Sequence, residues 1–146
     1  MKRHRKYYRN ENTAAQQWEL QGRKGAYDWQ TIGYGKSYSE ILSDPDKYVK
    51  PSTDHVIAYS RLVQAGITDA DIVNIPPNIV ETTSYKNSRK NNKLVHDWLK
   101  ETGAPDWFVK KWKSEHQRRV TKIVQRQQKK YPAWKLTPER KKLLGI

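Results

Sequence analysis

Pro105 and Pro132 bracket the stretch that most limits what this chain folds into. Between them Phe108, Trp112, His116, Val120 and Ile123 recur at steps of three and four. Tyr131 extends the series, and Val109 and Val124 widen it. Residues so spaced share one face of an α-helix. Proline suits the first turn of a helix and stops one that reaches it. The spacing predicts a helix from 105 to about 131, long enough that other elements must pack along it.

The remaining punctuation also reads as helical. Residues 4–22 suggest an amphipathic helix ended by Gly22 and Gly25, with Tyr7, Ala14 and Trp18 near one stripe. That apolar face is sparse, so the helix is expected to need a partner for stability. GAYDWQTIGYGKSY (25–38) reads as an aromatic connector and lacks the glycine spacing of a phosphate loop. Ser37 and Glu40 fit a capping box for a short helix over 38–43. A helix from about Thr53 carries Val56, Ile57, Leu62 and Val63, with Gly66 just past its end. Thr68 is expected to cap a short helix that points Ile72 and Ile75 inward and stops at Pro76-Pro77. Asn78 is expected to open the next helix, as two pieces or as one with a polar middle (84–93), ended by Gly103. A last turn over 138–144 follows Thr137 as cap. No strand pattern stands out. The expected fold class is all-α, with a basic N-terminal helical arm and aromatic connector over 1–52 and a small helical bundle over 53–146.

Composition bears on partners. Mean hydropathy is −1.07 and the apolar fraction 35%, yet there are 6 Trp and 9 Tyr. Few aliphatic and many amphipathic aromatic residues suggest surfaces covered by something else. The formal net charge of +14 is unevenly placed. Residues 1–25 carry 7 basic and 2 acidic groups (+5), residues 26–75 carry 4 and 7 (−3), and residues 76–146 carry 18 and 6 (+12). Such an excess points to a polyanion. With no cysteine, disulfides and thiolate sites are excluded. No apolar run approaches the length of a membrane span, and the basic start is not followed by a signal-peptide core.

Nothing in the chain asks for catalysis. His4, His55, His96 and His116 lack metal-ligand spacing, and His96 and His116 sit near apolar stripes, where a structural role is expected. Asp44 and Asp46, in a proline-bounded loop, read as turn residues. No cofactor or metal is expected. YSRLVQAGITDADIVNI (59–75) has the cadence of a helix-turn-helix. Its second helix is short and presents Asp69 and Asp71, so it reads as packing rather than base recognition.

The basic residues are the candidate site. The arm offers Lys2, Arg3, Arg5, Lys6 and Arg9, with Asn12 and Gln16 able to donate to phosphate or sugar. Arg23, Lys24 and Lys36 continue it. Lys86, Arg89, Lys90 and Lys93 come from the polar stretch 84–93. Arg118, Arg119, Lys122 and Arg126 come from the long helix. Tyr7, Ala14, Ala15, Trp18, Trp29 and Trp134 are expected to cover a contact between subunits.

KRHRKYYRN, the aromatic connector and RLVQAGITDAD (61–71) together carry a resemblance. The layout resembles the major coat proteins of filamentous archaeal viruses, of the rudivirus and lipothrixvirus type. The resemblance implies a virion structural protein whose arm wraps double-stranded DNA. Copies, alone or as a heterodimer with a related subunit, would stack helically around it. It also implies that phosphate contacts dominate over base contacts. The alternatives are an RNA-binding protein of ribosomal type and a small helix-turn-helix regulator using 59–75.

Overall fold

The computed structural model describes residues 11–29, 35–44 and 51–146. Lys2, Arg3, His4, Arg5, Lys6, Tyr7, Arg9 and Asp46 lie outside the described residues, as does part of the connector. Asn12 lies in a described helix, but its side chain is not described.

The chain is mainly helical and also contains a two-stranded sheet, so the all-α expectation is corrected. In order, the elements are α1 (Glu11–Leu20), α2 (Tyr38–Ser43), β1 (Pro51–His55), α3 (Tyr59–Gln64) and α4 (Ala70–Val73). A 3-10 turn (Pro76–Asn78) then leads to β2 (Ile79–Thr83), α5 (Ser84–Lys90), α6 (Val95–Glu101), α7 (Asp106–Lys130) and α8 (Pro138–Leu144). The strands occupy segments expected to begin helices at Thr53 and after Asn78. Ile79-Val80-Glu81-Thr82-Thr83 is rich in β-branched residues, a strand preference that five residues register weakly. All five are buried.

The described residues form two compact units, one from those between 11 and 54 together with 80–91, the other from 55–79 and 92–146. The C-terminal unit has an aliphatic core. Val56, Ile57, Leu62, Ile67, Val73, Leu99, Ile123 and Leu144 are each at most 1% exposed. Burying such a side chain contributes roughly 1.5–3 kcal/mol. α7 supplies the floor through Phe108, Trp112, Val120, Ile123 and Val124. Trp112→Ala would remove the largest of these, at a cost of about 3–5 kcal/mol. Asn78, fully buried, ties the 3-10 turn to its neighbours. Its Nδ2 donates to the Val73 carbonyl at 2.9 Å and its Oδ1 accepts from the Ile57 N–H at 2.8 Å. His116 is fully buried, with Nε2 2.7 Å from the Leu144 carbonyl, in the structural setting expected of it.

Several helix ends follow the sequence signals. The Ser37–Glu40 box closes reciprocally on α2, and Thr137 caps α8 through a bond from the Arg140 N–H at 3.2 Å. Gly66 follows α3 at φ +82°, where a Cβ would lie 3.1 Å from the Trp134 indole nitrogen and 3.0 Å from Arg140. α4 departs by one residue, since Asp69 rather than Thr68 caps it.

The N-terminal unit is built differently. α1 and α2 share a small apolar cluster of Ala14, Trp18, Tyr38 and Ile41, with Ala15 against it. Its sheet is joined to α1 by a side chain. Gln21 Nε2 donates to the Glu81 carbonyl and its Oε1 accepts from the Glu81 N–H, both at 2.9 Å, as a neighbouring strand would. Buried polar groups fill the rest. Glu81 is 1% exposed and accepts from Tyr38 at 3.2 Å and from the Thr53 hydroxyl. Asp54 accepts from the Tyr27 hydroxyl and pairs with Lys90, whose ammonium lies 3.1 Å away.

Candidate nucleic-acid interface

α7 sorts its cations by flank. At about 100° per residue, Lys111, Arg118, Lys122, Arg126 and Lys129 fall within an arc of roughly 100° beside the buried face. All five are exposed. The flank beyond it carries Ser114, Gln117, Thr121 and Gln128, with Lys110 and Lys113 only near its start. A rise of about 1.5 Å per residue spreads the row from Lys111 to Lys129 over roughly 27 Å.

Which of these charges are available depends on their neighbours. Arg118 and Arg119 share Glu115, at 2.7 and 3.1 Å. Arg119 also donates to the Pro77 carbonyl at 2.7 Å and lies over the Trp112 ring, so it is a packing residue. Lys130 pairs with Asp69 at 2.5 Å. Lys122, Arg126 and Lys129 form no ion pair among the described residues. These three, with Gln125, form one wall of a groove of about 830 Å³. The opposite side is apolar, from Ile72, Ile75 and Pro77, with Asp71 at its rim.

Asp69 holds this groove together. Its Oδ2 takes the Lys130 ammonium and the Tyr131 hydroxyl at 2.6 Å, while its Oδ1 accepts from the Asp71 N–H at 2.9 Å. Donation from Lys130, then from Tyr131 and the Asp71 backbone, lowers its pKa to about 2. The helix-turn-helix alternative has little to work with here. α4 is four residues long, and its Ile72 and Val73 are buried.

The other expected site residues separate into three groups. Gln16, Lys24, Lys36 and Arg89 are exposed. Lys93, Arg23 and Lys86 are each engaged by a carboxylate. Lys93 bonds Glu101 at 2.7 Å and Arg23 bonds Glu19 at 2.9 Å. Lys86 bonds Asp28 and lies 5.4 Å from the centre of the Trp29 ring. Lys90 is a correction, because it is fully buried against Asp54 and cannot reach a phosphate.

The expected subunit contacts are corrected in part. Ala14, Trp18 and Trp134 are 4%, 2% and 8% exposed within the chain itself. Trp18 Nε1 donates to the Lys36 carbonyl at 2.8 Å, and Trp134 Nε1 to the Ala65 carbonyl at 2.9 Å. The face of α1 that looked too thin to hold is covered by α2. Ala15 and Trp29 are half-buried.

Three residues of this flank and groove lie outside the expected set. Lys111, Gln125 and Lys129 are legible as a flank only when the helix is read by angle rather than by charge count. No described helix is long and apolar enough to cross a membrane. The chain matches no protein-family model, no curated protein and no solved structure.

Proposed function

We propose that this chain is a nucleic-acid-binding protein that holds the sugar-phosphate backbone without reading sequence, through one flank of α7. The observation that carries the reading is the row Lys122, Arg126 and Lys129, exposed and without carboxylate partners in a chain where many other cations have them. Cations so placed release counterions from phosphates and bind in a salt-dependent, sequence-independent way. Base readout has no comparable support. The short α4 buries its apolar residues, and Asp69 faces Lys130 and Tyr131. A coat subunit on double-stranded DNA requires more, namely a surface that joins copies. Ala14, Trp18 and Trp134 are occupied inside the chain, so phosphate contact is the part of that expectation with an observation behind it.

The test is the salt dependence of binding. The full chain is titrated against DNA and RNA of mixed sequence between 50 and 200 mM salt, conditions where such contacts weaken strongly. Lys122→Gln, Arg126→Gln and Lys129→Gln together should lower the log–log slope by about 2–3, close to one per phosphate contact. Scrambling the sequence should leave affinity unchanged. An unaltered slope in the triple variant sinks the proposal.

A further inference from the structure

Trp107 stands at the head of the cationic flank. It is 60% exposed and is the one exposed tryptophan of six. Its position in the first turn of α7 places it on the same arc as Lys111, Lys122 and Lys129, at about 100° per residue. Its ring meets Phe108 edge to face, with centroids 5.4 Å apart and planes at 81°. Phe108 is 3% exposed, so the indole is backed by the core. Lys111 follows one turn later, its ammonium 5.7 Å from the Phe108 ring. Asp106 falls on the opposite flank, and Glu115, the acid that shares the arc, is engaged by Arg118 and Arg119.

We propose that this flank takes a single strand, with one unpaired base stacked on the indole of Trp107 and the following phosphates along Lys111, Lys122, Arg126 and Lys129. The inference rests on the phosphate-binding reading above and narrows its ligand. A duplex keeps the faces of its bases stacked inside and offers an exposed indole nothing but its backbone. An unpaired strand offers a π-face at every nucleotide, which is why cations interleaved with open aromatics mark single-strand binding. The groove at the far end of the row points the same way. Its other side presents Pro77 over the nearly buried Ile72 and Ile75, with the Asp71 carboxylate at the rim, so it disfavours phosphate and leaves room for a base or sugar. A lone surface tryptophan needs no explanation in general. This one lies in line with Lys122, Arg126 and Lys129, which form no ion pair among the described residues, on one helix flank.

Fluorescence anisotropy of the full chain with a labelled mixed-sequence oligonucleotide, single-stranded and as its duplex, tests this. The wild-type chain should bind the single strand more tightly. Trp107→Ala should weaken single-strand binding about 5- to 150-fold, the usual worth of one stacked base. It should change duplex binding less than about twofold and leave the salt slope intact. Trp107→Phe should retain most of the affinity, because a smaller ring still stacks. Equal losses on both forms, no loss on either, or a wild-type preference for duplex overturns the proposal. Failure of the parent reading looks different. There the Lys122, Arg126 and Lys129 variant leaves binding unchanged, whatever Trp107 does.

Discussion

Lys90 in the N-terminal unit and Lys122 in the C-terminal unit are both helical lysines, and the fold treats them in opposite ways. Lys90 is fully buried, with its ammonium 3.1 Å from Asp54, which also takes the Tyr27 hydroxyl. Lys122 is exposed and forms no ion pair among the described residues. The N-terminal unit has few aliphatic side chains and fills its interior with paired polar groups, including Glu81 and Thr83. The C-terminal unit has a sufficient aliphatic core and leaves its charges outside. A basic chain is therefore not a uniform polyanion surface. Where a carboxylate stands within reach, the cation is a structural part, and only where none stands is it available to a ligand.

The largest test of this contrast is Lys90→Met against Lys122→Gln. Removing the Lys90 ammonium leaves Asp54 buried with the Tyr27 hydroxyl alone, and losing one member of a buried pair costs about 3–5 kcal/mol. Lys122→Gln should change stability by no more than about 0.5 kcal/mol, as surface substitutions do. Urea denaturation followed by circular dichroism reads both. Joint replacement of Lys90 by Met and Asp54 by Leu should recover much of the loss, because the stranded charge is then absent. Similar losses from Lys90→Met and Lys122→Gln would erase the distinction between the two units.

The same contrast explains what could be read from the chain beforehand. α7 and α8 were legible to within a residue because proline, a threonine cap and regular apolar spacing mark them within the local sequence. The Ser37–Glu40 box and Gly66 were legible for the same reason. The sheet was not, since β1 and β2 are five residues each and become strands only by finding one another across the intervening chain. Lys90 was misread because its partner Asp54 stands far away in sequence. Trp18 was misread because α2, which covers it, lies beyond the connector. Charge is a local property of a sequence, whereas availability of charge depends on contacts that only the fold brings about. The flank of α7 lies between these cases. Its spacing is local, but the pairing of Lys130 with Asp69 is not.

Asp69 gives the next effect in size. Its carboxylate is held at about 2 by Lys130, Tyr131 and the Asp71 backbone, while the same group in the unfolded chain titrates near 3.9. A folded pKa below the unfolded one contributes stability that is complete above about 4 and is lost as pH falls towards 2. Lys130 is half-exposed and water screens the pair, so Asp69→Asn should cost about 1–2 kcal/mol at neutral pH. Denaturation series from pH 7 to pH 2 should show this portion of acid sensitivity missing in the variant. The substitution also releases Lys130 beside the groove, so the salt slope of nucleic-acid binding should rise by up to about 0.9. A stability loss with no gain in slope would mean that an unpaired lysine is not sufficient for availability, and would weaken the rule drawn from Lys90 and Lys122.

The smallest effect belongs to a half-buried base without an adequate acid. His96 lies on α6 with its side chain 15% exposed. Burial lowers its pKa below the ordinary histidine value, Asp97 opposes that change, and Lys113 on α7 reinforces it. The fully buried His116 ring meets it edge-on, with centroids 5.4 Å apart. Asp97 is no counterpart to Asp54, since its oxygen is 3.8 Å from His96 Nε2 and its side chain is 63% exposed. Above the unfolded value of about 6.5, His96 is neutral in both states and contributes no pH dependence. Below it the unfolded chain takes a proton that the folded chain refuses, so stability falls until the folded pKa is passed and then levels off. Denaturant midpoints of the wild type and His96→Gln between pH 8 and pH 5 read this directly, and the variant should lose part of the decline. An identical decline in both would place the sensitivity elsewhere and leave His96 as tolerant of charge as Lys90. The two units would then not differ in how they handle a base withdrawn from water.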